Sequence, residues 1–171
     1  MKLSTRTRYG IRAMLELAEN YGKGPLQLKT IARNQEISVK YLEQLMTVLK
    51  AAGLVKSVRG SKGGHVLAKP PRQITVSDCF DCLEGPVITT ECVYNKDSCS
   101  RSTDCVARLL WTEVQNAIRT ILESTTFQDL VEKNKRQSVS SSLLGAAKGK
   151  NKLARNKYKQ RSKIAGAITA R

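Results

Sequence analysis

Several residue types that mark particular function classes are scarce in this 171-residue chain. Aromatic residues make up only 5 % of it, so Leu, Ile, Val and Ala must fill most of any core. It has one histidine, His65. A lone imidazole offers one metal ligand and one base, which is too little for a histidine metal centre. No run of eighteen apolar residues occurs, which argues against a membrane-spanning helix. The opening "MKLSTRTRYG" has charge but no apolar segment behind it, unlike a secretory leader. These absences place the chain in the cytoplasm, where thiols stay reduced. Its cysteines number five, an odd count that fits poorly with a disulfide framework.

Acids are missing from one end altogether. Residues 137–171 hold nine Lys/Arg and no Asp or Glu. The first 60 residues hold eleven Lys/Arg against four Glu, while 61–136 are balanced. The net charge of +16 therefore sits at the two ends. Such a distribution predicts a polyanionic partner, nucleic acid first. The last stretch mixes Ser, Gly, Ala and Lys with weak periodicity. It reads as a basic tail, disordered or helical only on a polyanion.

What is present is regular. Residues 4–20 predict a helix capped by Ser4 or Thr5, with Tyr9, Ile11, Ala13, Met14, Leu17 and Ala18 at helical spacing. A short helix follows at about 28–35. Ser38 then caps a helix over about 39–52, with Leu42, Leu45, Leu49 and Ala52 on one face and Gly53 in the C-cap place. Lys40, Glu43, Gln44 and Thr47 point the other way. Two helices across a tight turn make a helix-turn-helix. "LVKSVR" and "HVLAK" alternate around "GSKGG", a hairpin with a basic glycine tip. The fold class expected is mainly α with a small hairpin wing: a winged helix-turn-helix. Arg59 and Lys62 in the wing would meet phosphates or a minor groove.

Beyond "PP", the stretch "TVSD" has capping-box form and opens a short helix ending near Gly85. A polar segment containing "ECVYNKDSCSRSTDC" reads as a loop. A long helix spans about 105–123, and "TTFQDL" starts a last short one. The long helix bears Val106, Leu109, Leu110, Val114, Ala117, Ile118, Ile121 and Leu122. So broad a stripe predicts packing against a second copy of the chain, the alternative being cover from the winged domain. The domains expected are 1–84 for DNA binding, 85–104 for the cysteine loop, 105–136 for dimerisation and 137–171 for the tail.

Cys79 and Cys82 form "CFDC", which suggests half a zinc site or a redox pair. Both fall on the apolar face of a helix, and no βαβ pattern of a thioredoxin surrounds them, so buried thiols are the commoner reading. Cys92, Cys99 and Cys105 are different, because no core needs them where they lie. Their spacing is wider than zinc knuckles use. A loop wrapping three thiolates suits an iron–sulfur cluster, while thiol sensing without a cluster stays open.

The stretches "KLSTRTRYGIRAMLELA", "ISVKYLEQL", "LKAAGLVKSVRGSKGGHVLAKPP" and the three cysteines before "LLW" together resemble the IscR/NsrR/CymR-type winged-helix transcriptional regulators of bacteria. The resemblance covers about residues 1–134 and not the tail. It implies a homodimer that crosses its long helices, binds double-stranded operator DNA and acts as a repressor rather than an enzyme. It implies a 2Fe–2S or 4Fe–4S cluster on Cys92, Cys99 and Cys105, sensing nitric oxide, oxidants or cluster supply. The other expectation is a clusterless repressor of sulfur or cysteine metabolism, responsive to thiols or to a partner protein. The DNA-facing set expected is Ser38, Lys40, Tyr41, Glu43, Gln44, Arg59, Lys62 and His65, with Glu43 expected to discriminate by accepting from a cytosine amino group. Three departures stand out. The first cysteine gap has six residues rather than five. Arg108 stands where one subgroup places a histidine ligand, and Arg8 where another places an aspartate. The fourth ligand is therefore unassigned, with Glu91, Asp97 and Asp104 as carboxylate candidates.

Overall fold

The computed structural model describes residues 3–138. The elements below lie in one compact unit that ends at Val131. Residues 132–138, which belong to a second unit, are helical. The basic tail expected over 137–171 lies outside the described residues from position 139 on.

Helix α1 runs Thr5–Glu19, and its N-cap Ser4 accepts from the Thr7 amide. Helix α2 is Leu28–Gln35 and α3 is Val39–Ala51. Gly53 follows α3 at φ 70, a left-handed conformation that glycine adopts without a Cβ penalty. Strands β1 (Val55–Val58) and β2 (Gly64–Leu67) pair antiparallel, with Val55 opposite Leu67 and Val58 opposite Gly64. A 3-10 turn at Pro71–Gln73 leads to α4, Val76–Glu84. The capping box of α4 is formed as its sequence predicts, Thr75 and Asp78 each accepting from the other's amide.

The segment expected to be a plain loop is more ordered than that. It holds one helical turn, α5 at Glu91–Tyr94, and a 3-10 turn at Lys96–Ser98. Local bonds from Asn95 and Glu91 account for both turns. The Asn95 side chain accepts from the Asp97 amide, and the Asn95 amide donates to the Glu91 carbonyl. Helix α6 then spans Val106–Ser124. Thr126 and Asp129 form a second capping box, and helical backbone follows over 127–131.

The core lies where α1, α2, α3, α4 and the hairpin meet. Met14, Ile31, Leu42 and Leu49 are fully buried in it, as is Phe127. Phe127 and Phe80 are the buried aromatic residues of an otherwise mostly aliphatic and sulfur-bearing core, and Phe127 is the more deeply buried. It reaches the core because its amide donates to the Ile74 carbonyl while Val76 donates to Thr125. Glu84, at the end of α4, accepts from both Ser4 and Thr7 hydroxyls and so ties α4 to the start of α1.

Helix α6 packs on α4 and α5 but buries none of its residues completely. Its broad stripe divides in two. Val114, Ile118 and Leu122 are half-buried against the chain's own elements. Val106, Leu109, Leu110 and Ile121 stay open, at 54 to 78 % exposure. Among the described residues no helix is long and apolar enough to cross a membrane.

Candidate DNA interface and cysteine loop

The α2–α3 turn closes on Glu36, which takes φ 54, and on the Ile37 amide donating to the Ala32 carbonyl at 3.0 Å. Ser38 accepts from the Tyr41 amide at 3.2 Å and fixes the first turn of α3. The inner face of α3 carries Leu42, Leu45, Met46 and Leu49, all buried. Lys40, Glu43, Gln44 and Thr47 are therefore turned outward and exposed. Tyr41 sits at the border, half-buried. Its ring meets Tyr9 edge-on at 6.1 Å, and its hydroxyl lies 3.5 Å from Thr5 Oγ1. Arg8 and Arg12 lie over the same Tyr9 ring, at 6.0 and 5.7 Å. The basic start of α1 thus flanks the start of α3. The DNA-facing set expected from sequence did not include Arg8 or Arg12, although a first turn of α1 without acids was a visible signal.

The wing stands beside α3. Arg59 and Lys62 are exposed at its tip. A Cβ on Gly63 would lie 2.4 Å from the Val58 carbonyl oxygen, so the tip closes this tightly only with glycine. His65 is pinned by two backbone bonds with Leu26, at 2.8 and 2.9 Å. Its Nδ1 lies 3.4 Å from Ser57 Oγ. Burial, and then the Lys50 charge, hold its pKa below the usual imidazole value. Val39 and Glu43 of α3, with Gly60, Ser61, Gly64 and His65 of the wing, line one groove of about 340 Å³.

The three loop cysteines occupy different settings. Cys92 is half-buried, with its sulfur 3.4 Å from Thr90 Oγ1. Cys99 is exposed, and half-buried Cys105 is the N-cap residue of α6. Arg108 crosses the loop: its Nε donates to the Cys92 carbonyl at 2.8 Å and its Nη1 to the Ser102 carbonyl at 3.4 Å. Ser102 is 8 % exposed, a buried polar centre that no composition signal announced. Cys79 is fully buried, and burial, then Cys82 and Asp78, push its thiol far above the ordinary range. Burial is also the main cause of the raised Cys82 thiol, despite Arg6 nearby. Protonated, shielded thiols are poor nucleophiles and ligands, so "CFDC" serves the core.

Residues 3–133 match the family described as Rrf2, iron-dependent transcriptional regulator. The chain is 43 % identical over 130 residues to the transcriptional regulator CymR of Bacillus subtilis, covering 76 % of this chain and 89 % of that one. The chain belongs to the Rrf2 family. It is 37 % identical over 140 residues to IscR of Aliivibrio salmonicida, covering 82 % of this chain and 83 % of that one. Among solved structures, B. subtilis CymR, the global cysteine regulator, superposes with TM-score 0.66 at 41 % identity, over 78 % of this chain and 98 % of that one. IscR of T. potens gives 0.65 at 40 % identity, over 78 % and 88 %. The winged-helix fold expected from sequence is that of these regulators. The chain is a transcriptional regulator and not an enzyme.

Seating an iron–sulfur cluster needs thiolates that converge. Among the described residues no three His, Cys, Asp or Glu side chains gather closely enough to hold a metal ion. Glu91, Asp97 and Asp104 are exposed. Arg108 carries a cation where a fourth ligand was sought, and its donors face carbonyl oxygens. As arranged, the three loop thiols are not gathered at one metal position.

Proposed function

We propose that this Rrf2 protein is a cytoplasmic, homodimeric repressor that binds operator DNA through α3 and the wing, and that its thiol loop sets the affinity. The observation that carries the DNA reading is the shared groove between Glu43 of α3 and the Gly60–His65 wing. Exposed Lys40, Gln44, Arg59 and Lys62 border it with groups that bond phosphates and base edges. Glu43 selects among bases, since a carboxylate is repelled by phosphate and accepts from cytosine. The open apolar row on α6 supplies the contact between two copies, which sets two recognition helices on a twofold site.

The loop joins directly to the first turn of α6. A change at its thiols therefore acts where the two copies meet, and a coupling of about 1–3 kcal/mol is enough to switch occupancy. The unequal settings of the three thiols, Cys99 exposed and Cys92 and Cys105 half-buried, favour direct thiol chemistry or a partner protein. The similarity to CymR, the global cysteine regulator, favours it as well. A cluster on Cys92, Cys99 and Cys105 is the second reading, favoured by the iron-dependent description of the family and by the IscR relatives. Anaerobic isolation with iron and sulfide counted per subunit separates the two. Colourless protein whose binding to duplexes selected from a random pool changes with reductant supports the thiol reading. Brown protein with stoichiometric iron and sulfide overturns it in favour of the cluster.

A further inference from the structure

The backbone carbonyls of all three loop cysteines are engaged by just two residues. Arg108 Nε bonds the Cys92 carbonyl at 2.8 Å, and the Arg108 amide bonds the Cys105 carbonyl at 3.1 Å in the opening turn of α6. The Ser102 amide bonds the Cys99 carbonyl at 3.1 Å. Arg108 and Ser102 are themselves joined through Arg108 Nη1, and the Ser102 hydroxyl donates to the Lys96 carbonyl at 2.5 Å. The loop is thereby folded around its own polar centre, with no sulfur used in the folding except the Thr90–Cys92 contact.

An arginine at this place runs against local helix preference. It is the third residue of α6, at the positive end of the helix dipole, and the first turn contains no acid. A guanidinium suits the place for another reason: its fork reaches two carbonyls at once.

We propose that Arg108, with Ser102 as its buried anchor, is a latch that holds the Glu91–Cys105 loop closed through backbone bonds. It positions Cys92 against Thr90 while leaving the thiols chemically free. A modification that needs the loop to open must break the latch, and Arg108 carries that opening into the first turn of α6. The link to DNA affinity rests on the thiol reading above, whereas the latch itself does not.

The test uses full-length, reduced protein treated with iodoacetamide, with alkylation of each cysteine followed by peptide mass spectrometry. Arg108→Ala is expected to speed Cys92 alkylation on the order of tenfold, the change in open population from losing a charge-assisted bond, with buried Cys79 still silent. Arg108→Lys is expected to recover little of the protection, since one ammonium does not span both carbonyls. An unchanged Cys92 rate in Arg108→Ala, or full recovery with lysine, overturns the latch. If Cys79 reacts in Arg108→Ala as well, Arg108→Met, which keeps the aliphatic stem and removes the donors, decides: faster Cys92 with silent Cys79 supports the latch, and an unchanged Cys92 overturns it. Alkylated wild-type protein that binds selected DNA as before removes the thiol-sensing reading and leaves the latch standing.

Discussion

Helices α3 and α6 carry similar apolar stripes and meet opposite fates. The thirteen residues of α3 bury Leu42, Leu45, Met46 and Leu49, while the nineteen of α6 bury nothing completely. The chain supplies partners for α3 from α1, α2, α4 and the hairpin. For α6 it supplies α4 and α5 on one side only. The difference teaches that the winged half is a finished core, whereas α6 leaves an apolar row open, the row that the proposed function assigns to a second copy.

The largest effect that tests this contrast is on stability. Leu42→Ala should cost about 2–5 kcal/mol in urea unfolding, because a fully buried leucine leaves a cavity. Leu109→Ala, at 61 % exposure, should cost within about 0.5 kcal/mol in dilute protein and more as concentration rises. Equal costs at every concentration would break the comparison. Next in size is assembly. Leu110→Glu together with Ile121→Glu should weaken self-association by at least about 100-fold, read by sedimentation, since each open side chain contributes about 1.5–3 kcal/mol once buried. A double variant that stays dimeric would mean that another surface joins the copies.

How much of this was legible in the sequence follows the same division. Ser38, Gly53 and the Thr75–Asp78 box were readable because caps are decided within four residues. The inner leucines of α3 were readable from period alone. What escaped was set by long-range bonds. Arg108 reaches sixteen positions back to Cys92, and Ser102, which the same guanidinium bonds, is buried. The Leu26–His65 pairing and the Tyr9–Tyr41 contact likewise join elements that no local pattern connects. The three cysteines were readable as a group by spacing, but spacing does not say whether their sulfurs converge. Phe127 escaped because its burial depends on the pairing of Thr75 with Thr126.

Within the finished half, the outer face of α3 and the wing should differ in kind. Glu43→Gln should relax preference at one base pair by about 1–3 kcal/mol, measured by competition between selected duplexes. Lys62→Ala should leave preference alone and lower the slope of log affinity against log salt by about 1. Were Glu43→Gln to weaken all duplexes equally, its role would be structural rather than one of base selection.

The smallest effect comes from His65, the one histidine of the chain. Burial and Lys50 hold its pKa below the ordinary 6.5, so the folded protein favours the neutral ring. The unfolded chain takes up a proton near 6.5, where the folded chain does not yet. The contribution of His65 is thus full above that pH and is lost as pH falls through the lower, folded value. Urea midpoints should therefore decline slightly from pH 7.5 to 5.5, and His65→Gln should flatten the part due to this ring. Glu84, which Ser4 and Thr7 hold below the usual carboxylate range, loses its contribution only at more acid pH, so it leaves this window clear. An unaltered pH slope in His65→Gln would mean that the wing base does not shield the ring. His65 would then be a free surface group, and the Leu26–His65 seam would be looser than its two backbone bonds require.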